Sequence, residues 1–200
     1  MKIKGSKFID FIKNRGGLAG YAEIIGAGFN KAVLKSALKS GQIQKIDRGL
    51  YRLSAGSLLP NPDIAAASIK VPKGIICLIS ALSFHEATSE IPRYVDIAIP
   101  RGKHANKIKY PPVRFYRFAP DIWEAGLEEH EIEGRRIRVY SLARTVVDCF
   151  KFRNKIGMDI ARDALKVAVT EKGIKPKEIM RYARICRVES IIKPILEAIL

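Results

Sequence analysis

Asn30, Lys31, Lys35 and Lys39 have the residue types and the spacing for nucleic-acid chemistry. The three lysines recur every fourth position, so a helix through them stacks their ammonium groups on one side. Val33, Leu34, Ala37 and Leu38 then fall on the other, apolar side. An asparagine pairs its amide donor and acceptor with adenine, and a lysine near the start of such a helix reaches guanine. Lys39, Lys45, Arg48 and Arg52 suit phosphates, which fix register without reading sequence. Tyr51, between these cations, completes the set of candidate DNA contacts. The competing reading is a solvated charged face, the ordinary fate of a lysine stripe.

Other chemistries lack their parts. His85-Glu86 has no second histidine at the spacing a zinc protease helix needs, and His104 and His130 have no ligand spacing to it. Gly26-Ala27-Gly28 lacks the third glycine of a dinucleotide fingerprint, and the chain has neither a Gly-x-Ser-x-Gly elbow nor a Walker loop. Asp96 on one strand-like run, with Arg114 and Arg117 on another, sketches a nuclease sheet. Phe115-Tyr116 stand where such a site needs a second carboxylate and a lysine. Cys77, Cys149 and Cys186 are odd in number and far apart, which excludes a disulfide framework and a zinc knuckle. They read as small buried apolar groups. The expectation is a protein without catalysis, cofactor or metal.

The elements that must position the basic residues follow from periodicity and stop signals. Phe8, Ile9, Phe11 and Ile12 predict a helix that Asn14-Arg15-Gly16-Gly17 stops. A second short helix is predicted from Leu18 to Ile25, ended by Gly26-Ala27-Gly28, and a third from Phe29 or Asn30 to Ser40. Ile43 to Asp47 and Leu50 to Leu53 are strand-like around the turn Asp47-Arg48-Gly49. Three short helices and a basic hairpin are the order of a winged helix-turn-helix, whose third helix enters the major groove. Charge supports this. The chain carries a net +16 over 200 residues, and residues 1–54 hold eleven Lys and Arg against three acids. That segment has nearly three times the charge density of the rest, and such a field attracts polyanions.

The same residues also resemble a known family. Leu18-Ala19-Gly20-Tyr21-Ala22-Glu23, and Gly41 through Leu53 with its ending Arg48-Gly49-Leu50-Tyr51-Arg52, are similar to the N-terminal domain of AbiEi-type antitoxins. Ile79 to His85, Val95 to Pro100 and Val139 to Asp148 are similar to later parts of that family. The resemblance implies a repressor that binds inverted repeats in double-stranded operator DNA upstream of its own operon. It also implies antitoxin action, with the C-terminal domain required, against a nucleotidyltransferase-like toxin in a type IV abortive-infection pair.

Ser54-Ala55-Gly56-Ser57 and Pro60-Asn61-Pro62 predict a boundary. The expected organisation is a winged helix-turn-helix at 1–55, a linker at 56–62 and a mixed α/β domain with a helical C-terminal third at 63–200, an α+β chain overall. In the second part, helices are expected at residues 63–67 and 78–87, from Ser141 to Phe152, from Asp159 to Glu171, from Pro176, and from Ser190. Strands are expected at 95–99, 113–118 and 135–139, with Gly134 in a hairpin. Lys177, Arg181, Arg184 and Arg187 fall near one helix face. They read either as a solubilising surface or as a second anion-binding face for DNA, for an acidic patch on a toxin, or for toxin-bound RNA.

No apolar run approaches the roughly twenty residues that span a bilayer. No apolar signal region follows the basic start, so a cytoplasmic protein with no membrane partner is expected. Two other classes stand beside the repressor. One is a nucleic-acid-processing enzyme with a winged-helix targeting domain and an unrecognised or degenerate nuclease sheet. The other is an interaction adaptor whose basic N-terminal segment holds RNA.

Overall fold

The computed structural model describes residues 2–56, 59, 61–105 and 107–200, with side chains from Ser6 onward. Among the described residues, ten α-helices and two β-sheets form a mixed α+β architecture. None of the helices is long and apolar enough to cross a membrane. The chain divides into two compact units. The first holds the chain up to Lys73 with Lys107–Pro112 and His130–Ile137, and the second holds the remainder. The division therefore falls later than the linker expected at 56–62, of which residues 57, 58 and 60 lie outside the described residues.

The first unit runs α1 (Lys2–Lys13), β1 (Leu18–Gly20), α2 (Tyr21–Gly26), α3 (Lys31–Lys39), β2 (Ile43–Asp47), β3 (Leu50–Leu53) and α4 (Pro62–Lys70). Its antiparallel sheet has the order β1-β3-β2, with Leu18 opposite Arg52 and Lys45 opposite Tyr51. The helix predicted from Leu18 thus starts three residues later. Leu18–Gly20 are drawn into a strand because β3 offers them backbone partners and buries all three. Gly28 (φ +85°) turns the chain from α2 to α3, and Gly49 (φ +71°) turns the β2–β3 hairpin, both in the left-handed region that favours glycine.

Apolar groups cover the sheet on both faces. Tyr51, Leu53, Ala19 and Ile43 pack with Phe8, Ile12, Ile24, Leu34 and Ala37. Leu18 and Leu50 pack with Leu59, Ala65 and Ala66. This second layer explains why α4 belongs here: without it, two fully buried leucines of the sheet would face water.

The second unit holds β4 (Ile75–Ile76), α5 (Leu78–Phe84), β5 (Val95–Pro100), β6 (Val113–Phe118), β7 (Leu127–Ile132), β8 (Arg135–Tyr140), α6 (Leu142–Lys151), α7 (Arg153–Ile156), α8 (Met158–Thr170), α9 (Pro176–Cys186) and α10 (Glu189–Glu197). The joined ends of β7 and β8 count with the first unit. The strand order is β6-β5-β4-β8-β7, with β4 antiparallel to β5 and parallel to β8, and β5 parallel to β6. Ser141 caps α6 by accepting from the Arg144 amide at 3.3 Å, as the sequence predicts.

Helix α6 is buried from Leu142 to Phe150 and packs against α5, α8 and α9. Inside it, Arg144 Nε donates to Asp148 Oδ2 at 3.0 Å, with neither side chain exposed to solvent. Arg144 Nη1 also donates to the carbonyls of Ile122 and Ala125, so the buried charge holds the β6–β7 connection.

Candidate nucleic-acid interface

Helix α3 is built to present its lysines. Asn30 caps it, with Oδ1 accepting from the Val33 amide at 3.0 Å. Just before the cap, the Phe29 ring packs edge-on against Phe8 at 5.1 Å and tilted against Phe11 at 5.3 Å, which fixes where the helix begins. Leu34 and Ala37 are buried in the first unit's core, whereas Lys31, Lys35 and Lys39 are exposed. The apolar side anchors α3 and leaves the cationic side to solvent.

The hairpin adds two more exposed cations, Lys45 on β2 and Arg48 at the turn. The turn itself is tied down. Asp47 Oδ1 accepts from the Arg48 amide at 2.7 Å, and Lys70 Nζ pairs with Asp47 Oδ2 at 2.9 Å while donating to the Arg48 carbonyl at 2.8 Å. The hydrogen bond from Lys70 is the main force holding the Asp47 carboxyl below its ordinary pKa, against the opposing effect of burial. Sequence reasoning missed Lys70, because nothing in its neighbourhood announces a partner on the β2–β3 turn.

Three of the expected contact residues have other surroundings. Tyr51 is only 7% exposed and lies within the apolar cluster, where burial raises its phenol pKa. It is a core residue, because β3 is the central strand and both its faces are covered. Arg52 is half-buried, and its Nε is shut off from solvent. Asn30 is exposed, but one lone pair of its side-chain oxygen is committed to the cap. The exposed cations that α3 and the hairpin offer together are Lys31, Lys35, Lys39, Lys45 and Arg48.

In the second unit, Lys177, Arg181, Arg184 and Arg187 are all exposed on or at the end of α9. They are not equally available. Arg184 Nε pairs with Glu189 at 3.0 Å, and Arg181 donates to the Tyr182 hydroxyl at 2.7 Å and lies over that ring. Arg187 ends the helix in the left-handed conformation at φ +59°.

The residues weighed for catalysis are engaged elsewhere. Asp96 is fully buried on β5, and its Oδ1 accepts from Arg114 Nε at 3.0 Å on the register partner in β6. His85 ends α5, where its Nε2 donates to the Tyr140 carbonyl at 2.8 Å. The three cysteines are buried thiols. Burial pushes Cys77 and Cys149 well up and Cys186 to about 12, so none is a thiolate at neutral pH.

The fold and exposed charge define a two-unit α+β protein with a basic helix and hairpin in its first unit. Its architecture is similar to the crystal structure of the RV2827C protein from Mycobacterium tuberculosis, with a TM-score of 0.59 over 90% of this chain and 70% of that one. The two are 11% identical in sequence, so the likeness is one of fold. No protein-family model matches the sequence, and no curated protein matches it.

Proposed function

We propose that this protein is a DNA-binding transcriptional repressor whose first unit is a winged helix-turn-helix, and that it serves as an AbiEi-type antitoxin. In this reading α3 is the recognition helix and the β2–β3 hairpin is the wing. It binds inverted repeats upstream of its own operon and acts against a nucleotidyltransferase-like toxin, with the second unit required for that action. The observation that carries the DNA-binding part is the split of α3: Leu34 and Ala37 buried, Lys31, Lys35 and Lys39 exposed, beside a turn that keeps Arg48 exposed. The antitoxin part rests on the family resemblance of the sequence. A nuclease built on Asp96 is disfavoured, since Arg114 takes one oxygen of its carboxylate and the side chain has no exposure to solvent.

A salt titration on DNA from upstream of the gene tests the DNA reading. Five exposed cations, each meeting one phosphate, give a log–log slope of about −4.5 at about −0.9 per contact. Affinity would then fall about 500-fold between about 50 and 200 mM salt. A slope near zero sinks the reading. For the antitoxin part, the protein is co-expressed with the adjacent toxin gene. Survival that needs only the first unit would remove the second unit's role.

A further inference from the structure

A cavity of about 380 Å³ in the second unit, of the size that small ligands occupy, carries chemistry that DNA binding through α3 does not use. Arg93, Tyr94, Arg114, Lys155, Glu90 and Ile91 line it. We propose that it binds a nucleoside 5′-phosphate, with Arg114 as the phosphate fork and Arg93 and Lys155 as the flanking cations.

Arg114 is oriented from behind. Its Nε donates to Asp96, which has no exposure to solvent, and its guanidinium lies 4.9 Å from the centre of the Tyr94 ring. Tyr94 is held in turn, because its carbonyl accepts from the Ser80 hydroxyl at 3.1 Å while the Asp96 amide donates to that same hydroxyl at 2.9 Å. With Nε committed, both Nη groups remain, and neither has a hydrogen-bond partner among the described residues. Two parallel N–H donors from one guanidinium match two phosphate oxygens. The side chain stays 41% exposed, so its outer edge is reachable. An ion pair placed only for stability gains little over an apolar pair in a sheet. A fixed, outward-facing arginine is what that pair produces here.

Charge and apolar surface narrow the ligand class. Arg93 and Lys155 have no acidic partner among the described residues, and Glu90 is the one acid on the lining. Three cations against one acid suit a phosphate monoester, which carries about −1.5 to −2 at pH 7, better than a carboxylate or a phosphodiester with one charge. Ile91, at 87% exposed, and Tyr94, at 44%, leave apolar and aromatic surface beside the cations for a flat organic group such as a base. A free nucleotide and the 5′-phosphorylated end of a strand share this chemistry.

Calorimetry on the full chain with adenosine 5′-monophosphate, adenosine, inorganic phosphate, and a trinucleotide with and without a 5′-phosphate tests the proposal. The expected result is that adenosine 5′-monophosphate binds and adenosine does not. The exposed pair of substitutions Arg93→Gln and Lys155→Gln should weaken binding at least tenfold, with at most a small fall in melting temperature from losing the Lys155 contacts over the Tyr116 and Phe152 rings. Arg114→Lys, which keeps the charge and loses the fork, should weaken it as well. Tighter binding of the phosphorylated trinucleotide than of its hydroxyl form assigns a strand end, and binding of the mononucleotide alone assigns a free nucleotide. The proposal is overturned if the mononucleotide does not bind or if adenosine binds equally. It is also overturned if Lys31→Gln with Lys35→Gln weakens binding as much as the pocket variants do.

Discussion

Asn30 offers a test that separates holding a helix together from reading a base. Its Oδ1 accepts the Val33 amide at 3.0 Å, so Asn30→Ala removes the α3 cap and leaves an amide donor without its side-chain partner. Such a loss costs about 1 kcal/mol, within a range of about 0.5–2. For a unit of about 60–100 residues that is roughly 4–8 °C in melting temperature per kcal/mol. Asn30→Ser restores an oxygen at the cap and should melt within a degree or two of wild type. The two variants differ in stability but share one defect, the missing carboxamide. If Asn30 also reads adenine, using the second lone pair of Oδ1 and its free amide, both lose about 1–3 kcal/mol on the operator. That corresponds to about 5–150-fold weaker binding. Fluorescence anisotropy on operator and scrambled duplexes, alongside thermal melts, resolves the two roles. Wild-type operator affinity for Asn30→Ser would refute base reading and leave Asn30 as a cap. An unchanged melt for Asn30→Ala would refute the cap.

Three further outcomes are expected. Asp148→Asn strips the charge that balances the fully buried Arg144 and should cost about 3–5 kcal/mol in denaturant titrations; a loss below about 1 kcal/mol would show that the pair is dispensable. Tyr51→Phe should leave operator affinity and the salt slope unchanged, while Tyr51→Ala costs about 3–5 kcal/mol of stability; a tenfold loss of affinity in Tyr51→Phe would return that residue to the DNA-contacting set. Lys70→Gln removes the main influence that depresses the Asp47 pKa. A depressed carboxyl stabilises the fold above its unfolded pKa, near 3.8, and loses that contribution as pH falls through the folded value. The variant should therefore melt further below wild type at pH 7 than at pH 2, where only the bond from Lys70 to the Arg48 carbonyl still separates the two; a difference that does not shrink between pH 7 and pH 2 would refute the linkage.

The reach of each physical signal decided what the sequence revealed. Helix α3, the β2–β3 hairpin, the Ser141 cap and the Pro176 start of α9 are specified by residues within about four positions of one another, through periodicity, capping and turn chemistry. The exposed stripe Lys31, Lys35, Lys39 is legible for the same reason, since a helix with one apolar side must turn its other side outward.

Pairing and burial are settled by partners distant in the chain, and there the tertiary structure decided. Leu18–Gly20 became a strand because β3 lies beside them, although their local pattern continues a helix. Tyr51 sits in a run of candidate contacts, yet α1 and α3 cover its face of the central strand, and α4 covers the other. Asp96 and Arg114 became an ion pair only because parallel pairing set β5 and β6 in that register. Strand register and the layer that covers a sheet depend on surfaces that exist only once the chain has folded.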